Sequence, residues 1–269
     1  INSMPAETFA LSPAQLDAFN ADGFGRIDGA VARAVADDCR AILWRLTGCD
    51  PDDPATWTRP VVRIAYRDDP PFRAAANTPR LQAAYDQLVG AGRWLPRTNM
   101  GTFPIRFPSH EAPGDDGWHI DVSFGWQERP DDFMSWRANI VSRDRALLML
   151  FLFSDVGEDD APTRIRAGSH LEIARELAPA GDAGLSLRDI SAGGYASTAH
   201  LPELLATGDA GTVYLCHPFL VHAAQPHAGT RPKFMAQPPL HPAVPLALER
   251  SDGAYSPVET AIRRALGRI

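Results

Sequence analysis

The sequence predicts a mainly β fold, a double-sheet jelly roll with helices packed outside one sheet. Helical patterns come first, short strand patterns with long connections follow, and one capped helix closes the chain. The 24 prolines and 21 glycines among 269 residues indicate many turns and few long helices. We expect one domain over residues 1–269, with a helical part over about 1–95, a jelly-roll core over about 96–245 and a C-terminal helix over about 246–269.

Three amphipathic helices are predicted before the strands. In the first, Ser12 is an N-cap, Pro13 occupies the first helical position and Gln15 completes a capping box. Apolar residues recur at helical spacing in all three, and each ends at a glycine. The helices are predicted between Ser12 and Gly23, between Val31 and Gly48, and between Thr78 and Gly90. A short strand is also predicted over 61–66.

The middle of the chain shows strand patterns. Alternating apolar residues at 103–107 predict a strand, which Pro104 confines to a sheet edge. The apolar run within 146–156 predicts a buried strand. The other predicted strands are 119–124, 163–166, 211–216 and 233–237. Ser256-Pro257-Val258-Glu259 is a capping box that opens the last helix.

Charge and cysteine content exclude several classes of function. The formal charge of −7 and the lack of a basic stripe argue against a nucleic acid or an anionic membrane surface as partner. The acidic pair Asp115-Asp116 is predicted to lie in a solvated loop. Three cysteines fit neither a disulfide framework nor a zinc site, and we see no signal peptide or membrane span. We expect a cytoplasmic protein, in which Fe(II) could stay reduced.

Trp118-His119-Ile120-Asp121 carries the strongest chemical signal. On a β-strand, side chains two residues apart point to the same face, so His119 and Asp121 would lie together. A metal beside that face could take an imidazole nitrogen and a carboxylate oxygen from one rigid segment. Two such ligands and a distant second histidine form the facial triad of non-haem Fe(II) oxygenases.

Four histidines compete for the place of the distant ligand. They are His170, His217, His222 and His227. His170-x-Glu172 is a rival pair, but Ser169 and Glu172 are predicted to form a capping box, and side chains two apart on a helix do not face each other. His222 precedes two alanines that would leave room for a ligated metal. Spacing alone does not choose between His222 and its neighbours.

Several short motifs occur in an order typical of one family. They are Leu11-Ser12-Pro13-Ala14-Gln15-Leu16, Asp22-Gly23-Phe24, Trp118-His119-Ile120-Asp121, Thr163, Gly168-Ser169-His170, Gly208-Asp209 and His222. Through these motifs nearly the whole chain resembles the phytanoyl-CoA dioxygenase family of Fe(II)- and 2-oxoglutarate-dependent oxygenases. The resemblance implies a double-stranded β-helix (jelly roll, cupin-like) and metal ligands at His119, Asp121 and His222. It also implies Fe(II) as metal, with 2-oxoglutarate and O2 as cosubstrates.

One position departs from the family pattern. The family has an arginine about eleven residues after the distal histidine, where it binds the far carboxylate of 2-oxoglutarate. That offset gives Lys233 here, with Arg231 two residues earlier. Either side chain could supply the charge, although lysine cannot make the planar bidentate contact of arginine. We favour Lys233 and keep Arg231 as the alternative. Thr163 resembles a family position near the cosubstrate.

The resemblance implies conversion of 2-oxoglutarate to succinate and CO2, coupled to hydroxylation of a C–H bond in a small organic molecule of secondary metabolism. Asp121 argues against halogenation, because related halogenases leave that ligand position empty for chloride. Desaturation, ring formation and epimerisation stay open. Two other classes also stay open: a cupin-like metal-dependent isomerase or hydrolase without 2-oxoglutarate, and a non-catalytic jelly-roll binding module. The N-terminal helices and the 125–132 loop are predicted to set substrate specificity; the sequence predicts no oligomeric state.

Overall fold

The computed structural model describes residues 11–269, which form helices and antiparallel sheets. The helices are α1 (Pro13–Asp22), α2 (Arg33–Thr47), α3 (Pro70–Ala76), α4 (Pro79–Val89), α5 (Ser169–Leu177), α6 (Leu187–Ser191) and α7 (Pro257–Ala265). The strands are β1 (Phe24–Ile27), β2 (Val61–Ile64), β3 (Phe103–Arg106), β4 (Arg137–Ala138), β5 (Leu147–Leu152), β6 (Thr163–Arg166), β7 (Leu185–Ser186), β8 (Glu203–Ala206), β9 (Val213–Cys216), β10 (His222–Ala223), β11 (Met235–Ala236) and β12 (Pro239–Leu240).

Two sheets face each other, with buried apolar side chains between them. The larger has five strands in the order β1-β9-β5-β11, with β12 also paired to β5. The smaller has the order β10-β6-β8, and two strand pairs, β2-β3 and β4-β7, flank them. Every strand pair is antiparallel. The short strands and long connections predicted from the sequence are therefore confirmed.

Strand β5 is buried on both faces, which explains its unbroken apolar sequence. Leu147, Met149 and Phe151 belong to a cluster shared with α1, α2, α3 and α4, so the N-terminal helices cover that face. Leu148 and Leu150 belong to a second cluster, which joins the larger sheet to the smaller one. A strand with two covered faces needs apolar side chains at every position, as its sequence has. The second cluster is the interior between the two sheets.

Both terminal capping boxes form as predicted. Ser12 accepts from the Gln15 backbone N–H at the start of α1, and Ser256 accepts from that of Glu259 at the start of α7. Gly23 ends α1 with φ 87°, a backbone conformation that residues other than glycine rarely adopt. No helix within residues 11–269 is both long and apolar enough to cross a membrane.

Several local predictions need correction. Residues 119–124 form only isolated bridges at His119 and Phe124, not a continuous strand. Gly168, not Ser169, caps α5, because the Ser169 hydroxyl instead accepts from the Val221 backbone N–H at 2.8 Å. Strand β11 covers two residues of the predicted 233–237. Seven short elements without a strong periodic pattern were not predicted. They are β1, β4, β7, β8, β12, α3 and α6.

Candidate metal centre

The side chains of His119, Asp121 and His222 converge at one end of the space between the sheets. One nitrogen or oxygen atom of each lies within 4.8 Å of those of the other two. Asp121 Oδ1 is 3.6 Å from His119 Nε2 and 3.5 Å from His222 Nε2. The backbones of the two histidines pair directly, with both N–H···O distances at 3.0 Å. A loop residue and a strand residue far apart in the sequence are thus fixed opposite each other.

Backbone carbonyls set the tautomer of both histidines. Nδ1 of His119 lies 2.9 Å from the Gly117 carbonyl oxygen, and Nδ1 of His222 lies 2.9 Å from that of Leu220. Because a carbonyl only accepts, each Nδ1 carries the proton and each Nε2 keeps a free lone pair. Both lone pairs belong to the converging atoms. This second hydrogen bond on the ring is the usual companion of a metal-bound histidine.

The protonation states of the group also fit a metal. Burial alone would raise the pKa of Asp121, but the contact with His222 and the charge of the nearby Arg145 lower it well below its ordinary value. Burial, with the neighbouring His222, lowers the pKa of His119. The lowered values of Asp121 and His119 favour a carboxylate and a neutral imidazole, which are the forms that bind metal ions.

The spacing of the donor atoms fits one ion. Ligands at right angles around a transition metal, with bonds of about 2.1 Å, stand about 3 Å apart. The distances of 3.5 and 3.6 Å from Asp121 Oδ1 to the two Nε2 atoms are within about 0.6 Å of that spacing. Two imidazoles and one carboxylate on one side are the donor set of a facial triad for Fe(II).

Arg145 and Gln237 contact this group, and the sequence analysis singled out neither. Arg145 Nη1 lies 3.5 Å from Asp121 Oδ2, the oxygen turned away from the histidines. The Arg145 Nε and Nη1 atoms are buried without a hydrogen-bond partner within the described residues. The Gln237 amide nitrogen lies 3.0 Å from His222 Nε2, so the amide donates to the free lone pair. Both side chains touch the atoms that would hold a metal.

A polar cavity of about 280 Å³ opens beside the three side chains. Its walls include residues from β3, β6, β10 and β11 and from the loop after β3. The other lining residues are Arg63, Thr102, Pro104, Arg106, Asp115, Thr163, Ala224, Met235 and Gln237. Thr163, predicted near the cosubstrate, therefore shares the cavity with the three converging residues. The cavity is large enough for a small organic acid beside a metal.

Lys233 and Arg231 lie in different surroundings. Lys233 is 1% exposed, and its ammonium donates to the Ala161 carbonyl at 2.7 Å and to the Thr163 hydroxyl at 3.4 Å. It is also the single lysine of the sequence. Arg231 is 58% exposed and pairs with Asp160 at 2.8 Å, in a separate surface depression. Lys233 thus contacts Thr163, which lines the cavity, while Arg231 lies away from it.

The other three candidate histidines lie elsewhere in the fold. The ring nitrogens of His170, His217 and His227 bond the backbone carbonyls of Asn20, Val258 and Arg231. Burial lowers the pKa of His170 to about 4, so this ring is neutral in the folded protein. Hydrogen bonds to backbone and burial explain these histidines as structural residues. Of the four candidate histidines, His222 is the one whose side chain lies beside His119 and Asp121.

Asp115-Asp116 lies in a loop, as predicted, but the Asp115 side chain is paired rather than freely solvated. The carboxylate accepts from Arg106 Nη1 at 2.9 Å and from Nη2 at 2.7 Å, and it also contacts Arg63. Its side chain is 22% exposed. Burial alone would raise the pKa of Asp115, but the hydrogen bond and charge of Arg106 lower it below its ordinary value. No local sequence pattern indicates this pairing, because Arg106 stands on a strand nine residues earlier.

Comparison with known proteins identifies solved structures that share this fold. No family model matches the sequence, and no curated protein matches it. Among solved structures, the non-haem α-ketoglutarate-dependent carbocyclase SnoK from nogalamycin biosynthesis aligns with 94% of this chain and 92% of its own, at 16% identity and a TM-score of 0.62. HygX from Streptomyces hygroscopicus, with nickel and 2-oxoglutarate bound, aligns over 87% and 88%, at 20% identity and a TM-score of 0.54.

EctD from S. alaskensis in its apoform is a third match. It aligns over 87% of this chain and 77% of its own, at 18% identity and a TM-score of 0.54. Matches at such low identity establish a shared fold rather than a shared reaction. The chain thus has the fold of non-haem 2-oxoglutarate-dependent enzymes.

Proposed function

We propose that this protein is an Fe(II)- and 2-oxoglutarate-dependent oxygenase that hydroxylates a C–H bond of a small organic substrate and releases succinate and CO2. The observation that carries the proposal is the convergence of His119, Asp121 and His222, in which both Nε2 atoms lie close to one carboxylate oxygen of Asp121. Supporting it, the fold matches proteins described as α-ketoglutarate dependent. We further propose that the two facing sheets form a double-stranded β-helix within one domain.

The three residues would hold Fe(II) on one side and leave the cavity side open for 2-oxoglutarate and O2. Once bound, the iron supplies the oxidative chemistry, which no side chain can perform alone. His119 and His222 are held in position by their carbonyl hydrogen bonds. Arg145 holds the outer oxygen of Asp121, so that the other oxygen faces the metal position. These contacts fix the ligands before the metal arrives.

At the other end of the cavity, Lys233 and Thr163 would bind the distal carboxylate of 2-oxoglutarate. The ammonium and the hydroxyl already lie 3.4 Å apart, and both can donate to one carboxylate. Lysine supplies charge here without the fork of an arginine. Arg231 is left out of the proposal, because its guanidinium faces Asp160 on the surface.

The substrate class rests on the neighbours and on the cavity. HygX has been solved with hygromycin B, and the epimerase SnoN with nogalamycin RO; both ligands are small molecules. The polar cavity beside the metal position of this chain also suits a small organic substrate. Asp121 supplies the carboxylate ligand that halogenases lack, which argues against halogenation. Among the other outcomes open to such enzymes, we propose hydroxylation.

Anaerobic titration of the Fe(II)-loaded protein with 2-oxoglutarate tests the proposal. We expect a metal-to-ligand absorption band, and succinate formation after oxygen is admitted. Single changes His119→Ala, Asp121→Ala and His222→Ala should each abolish iron binding and the band. His227→Ala is the matched control, because that histidine is also buried and bonded to a backbone carbonyl but lies outside the cluster. The His227→Ala variant should keep both iron binding and the absorption band.

Two results would contradict the oxygenase. Iron bound by the three residues without a 2-oxoglutarate band would favour a cupin-like isomerase or hydrolase. A protein that binds no metal by elemental analysis would favour a binding module without catalytic activity.

A further inference from the structure

Two basic side chains are buried next to each other beside the cavity: Arg106 lines it, and Lys233 contacts its lining residue Thr163. Arg106 and Lys233 oppose each other in an antiparallel bridge, in which each backbone N–H donates to the other's carbonyl, at 3.0 and 2.8 Å. Side chains of a directly opposed pair project to the same face. Arg106 is 5% exposed and Lys233 is 1% exposed. The two strands therefore place a guanidinium and an ammonium in one buried pocket.

Within the described residues, a single carboxylate neutralises this pair. Asp115 takes both ends of the Arg106 fork, in the bidentate geometry that arginine forms with carboxylates. Lys233 donates only to a neutral carbonyl and a neutral hydroxyl. Because a buried charge without a partner is costly, a second anion beside Lys233 would stabilise this pair of basic side chains.

Strand geometry relates this pocket to the metal position. His222 pairs with Ile165, and Thr163 lies two residues further along the same face of β6, which is about 7 Å. The Thr163 hydroxyl contacts the Lys233 ammonium. A five-carbon dicarboxylate that chelates a metal with its 2-oxo acid end carries its second carboxylate a comparable distance away.

We propose that Arg106 binds the distal carboxylate of 2-oxoglutarate together with Lys233, and that Asp115 occupies the Arg106 fork until the cosubstrate replaces it. This inference rests on the proposed function. It also explains the lysine at position 233: the neighbouring strand supplies the planar fork, and a second guanidinium would overfill a fully buried site. Asp115 then acts as an internal substitute that keeps the fork neutralised and aligned in the empty protein.

The test is the affinity for two ligands, measured by anaerobic absorption titration of the Fe(II)-loaded protein. 2-Oxoglutarate carries the second carboxylate, whereas 2-oxobutyrate has only the 2-oxo acid end. Arg106→Gln should weaken 2-oxoglutarate binding about tenfold to a hundredfold, the range for one charged hydrogen-bonded contact, and should leave 2-oxobutyrate unchanged. Arg106→Lys keeps the charge without the fork and should show an intermediate loss.

Asp115→Asn gives an effect of opposite sign, which misfolding cannot produce. Without the competing carboxylate, 2-oxoglutarate should bind about fivefold more tightly, and 2-oxobutyrate should not. Arg231→Gln is the control cation outside the cavity and should change neither affinity. Equal 2-oxoglutarate affinity in the wild type, Arg106→Gln and Asp115→Asn would overturn this inference alone. Absence of any band in the wild type would overturn the proposed function and this inference with it.

Discussion

Replacing Lys233 by methionine should make the protein more stable and less able to bind 2-oxoglutarate. The ammonium is 1% exposed, and no carboxylate lies within ion-pair distance of it within residues 11–269. Burial, together with the charge of Arg106, lowers the pKa of Lys233 well below its ordinary value, although Asp115 opposes this effect. Methionine fills a similar volume without a charge to desolvate.

Two opposing contributions set the size of the stability change. A lysine with an ordinary pKa of about 10.4 can release its proton at pH 7 for no more than ~5 kcal/mol, so the cost of burying it cannot exceed that value. Loss of the ammonium leaves the Ala161 carbonyl without its donor, which costs ~1–3 kcal/mol. We expect Lys233→Met to raise the free energy of unfolding by about 1–3 kcal/mol and Tm by about 3–9 °C.

The pH dependence gives the prediction a sign that other mechanisms do not share. Between the lowered pKa of folded Lys233 and the value of about 10.4 in the unfolded chain, the folded state binds fewer protons. Wild-type stability must therefore rise with pH across this window, and the advantage of the methionine variant must shrink. Urea unfolding at about pH 7 and about pH 9.5 measures both effects.

A matched control and a direct probe complete the design. Arg231→Met removes an exposed cation and should change the free energy of unfolding by less than about 1 kcal/mol. Because Lys233 is the single lysine, [¹⁵N]lysine labelling gives one side-chain NMR signal that reports its pKa and its response to 2-oxoglutarate. A variant that is less stable than the wild type at both pH values, and that binds 2-oxoglutarate normally, would refute the reasoning.

Three further predictions concern the scaffold. At residue 211, φ is 99°, and a Cβ would overlap the Val31 carbonyl oxygen. Gly211→Ala should therefore lower the free energy of unfolding by ~2–4 kcal/mol. An unchanged midpoint of urea unfolding would contradict this. Glu259 is 1% exposed and pairs with Arg250, so Glu259→Gln should cost ~3 kcal/mol by calorimetry, and a loss below ~1 kcal/mol would count against that pairing. Between pH 6.5 and about 4, His170 binds fewer protons in the folded state than in the unfolded state. The free energy of unfolding should therefore fall by up to ~3 kcal/mol as the pH drops through this window, and His170→Gln should reduce the fall. Identical pH profiles of the wild type and the variant would exclude His170 as its source.

Local sequence patterns predicted the parts of the fold that depend on neighbouring residues. The capping boxes at Ser12 and Ser256 form because their partners lie three residues away. The β5 run was recognisable because both faces of this strand are covered. Ser169 shows the limit: it has the sequence of a cap, but its hydroxyl binds a backbone group 52 residues away. A long-range partner of this kind leaves no local pattern.

The same distinction applies to the candidate site. His119 and Asp121 were found because their spacing carries the chemistry, and His222 was chosen through family resemblance, since spacing left several histidines equal. Arg106 and Gln237 could not be found, because each reaches the cavity through pairing or bonding with a residue far along the chain. Charged residues that strand pairing brings together look, in the sequence, like ordinary surface charges.

Anomalous diffraction at the iron edge, on crystals loaded anaerobically with Fe(II), locates the metal and its ligands. We expect one peak within bonding distance of Nε2 of His119, Oδ1 of Asp121 and Nε2 of His222, with the cavity side open to added 2-oxoglutarate. A peak bound by other residues, or no peak in a crystal whose wild-type protein is fully folded, would contradict it.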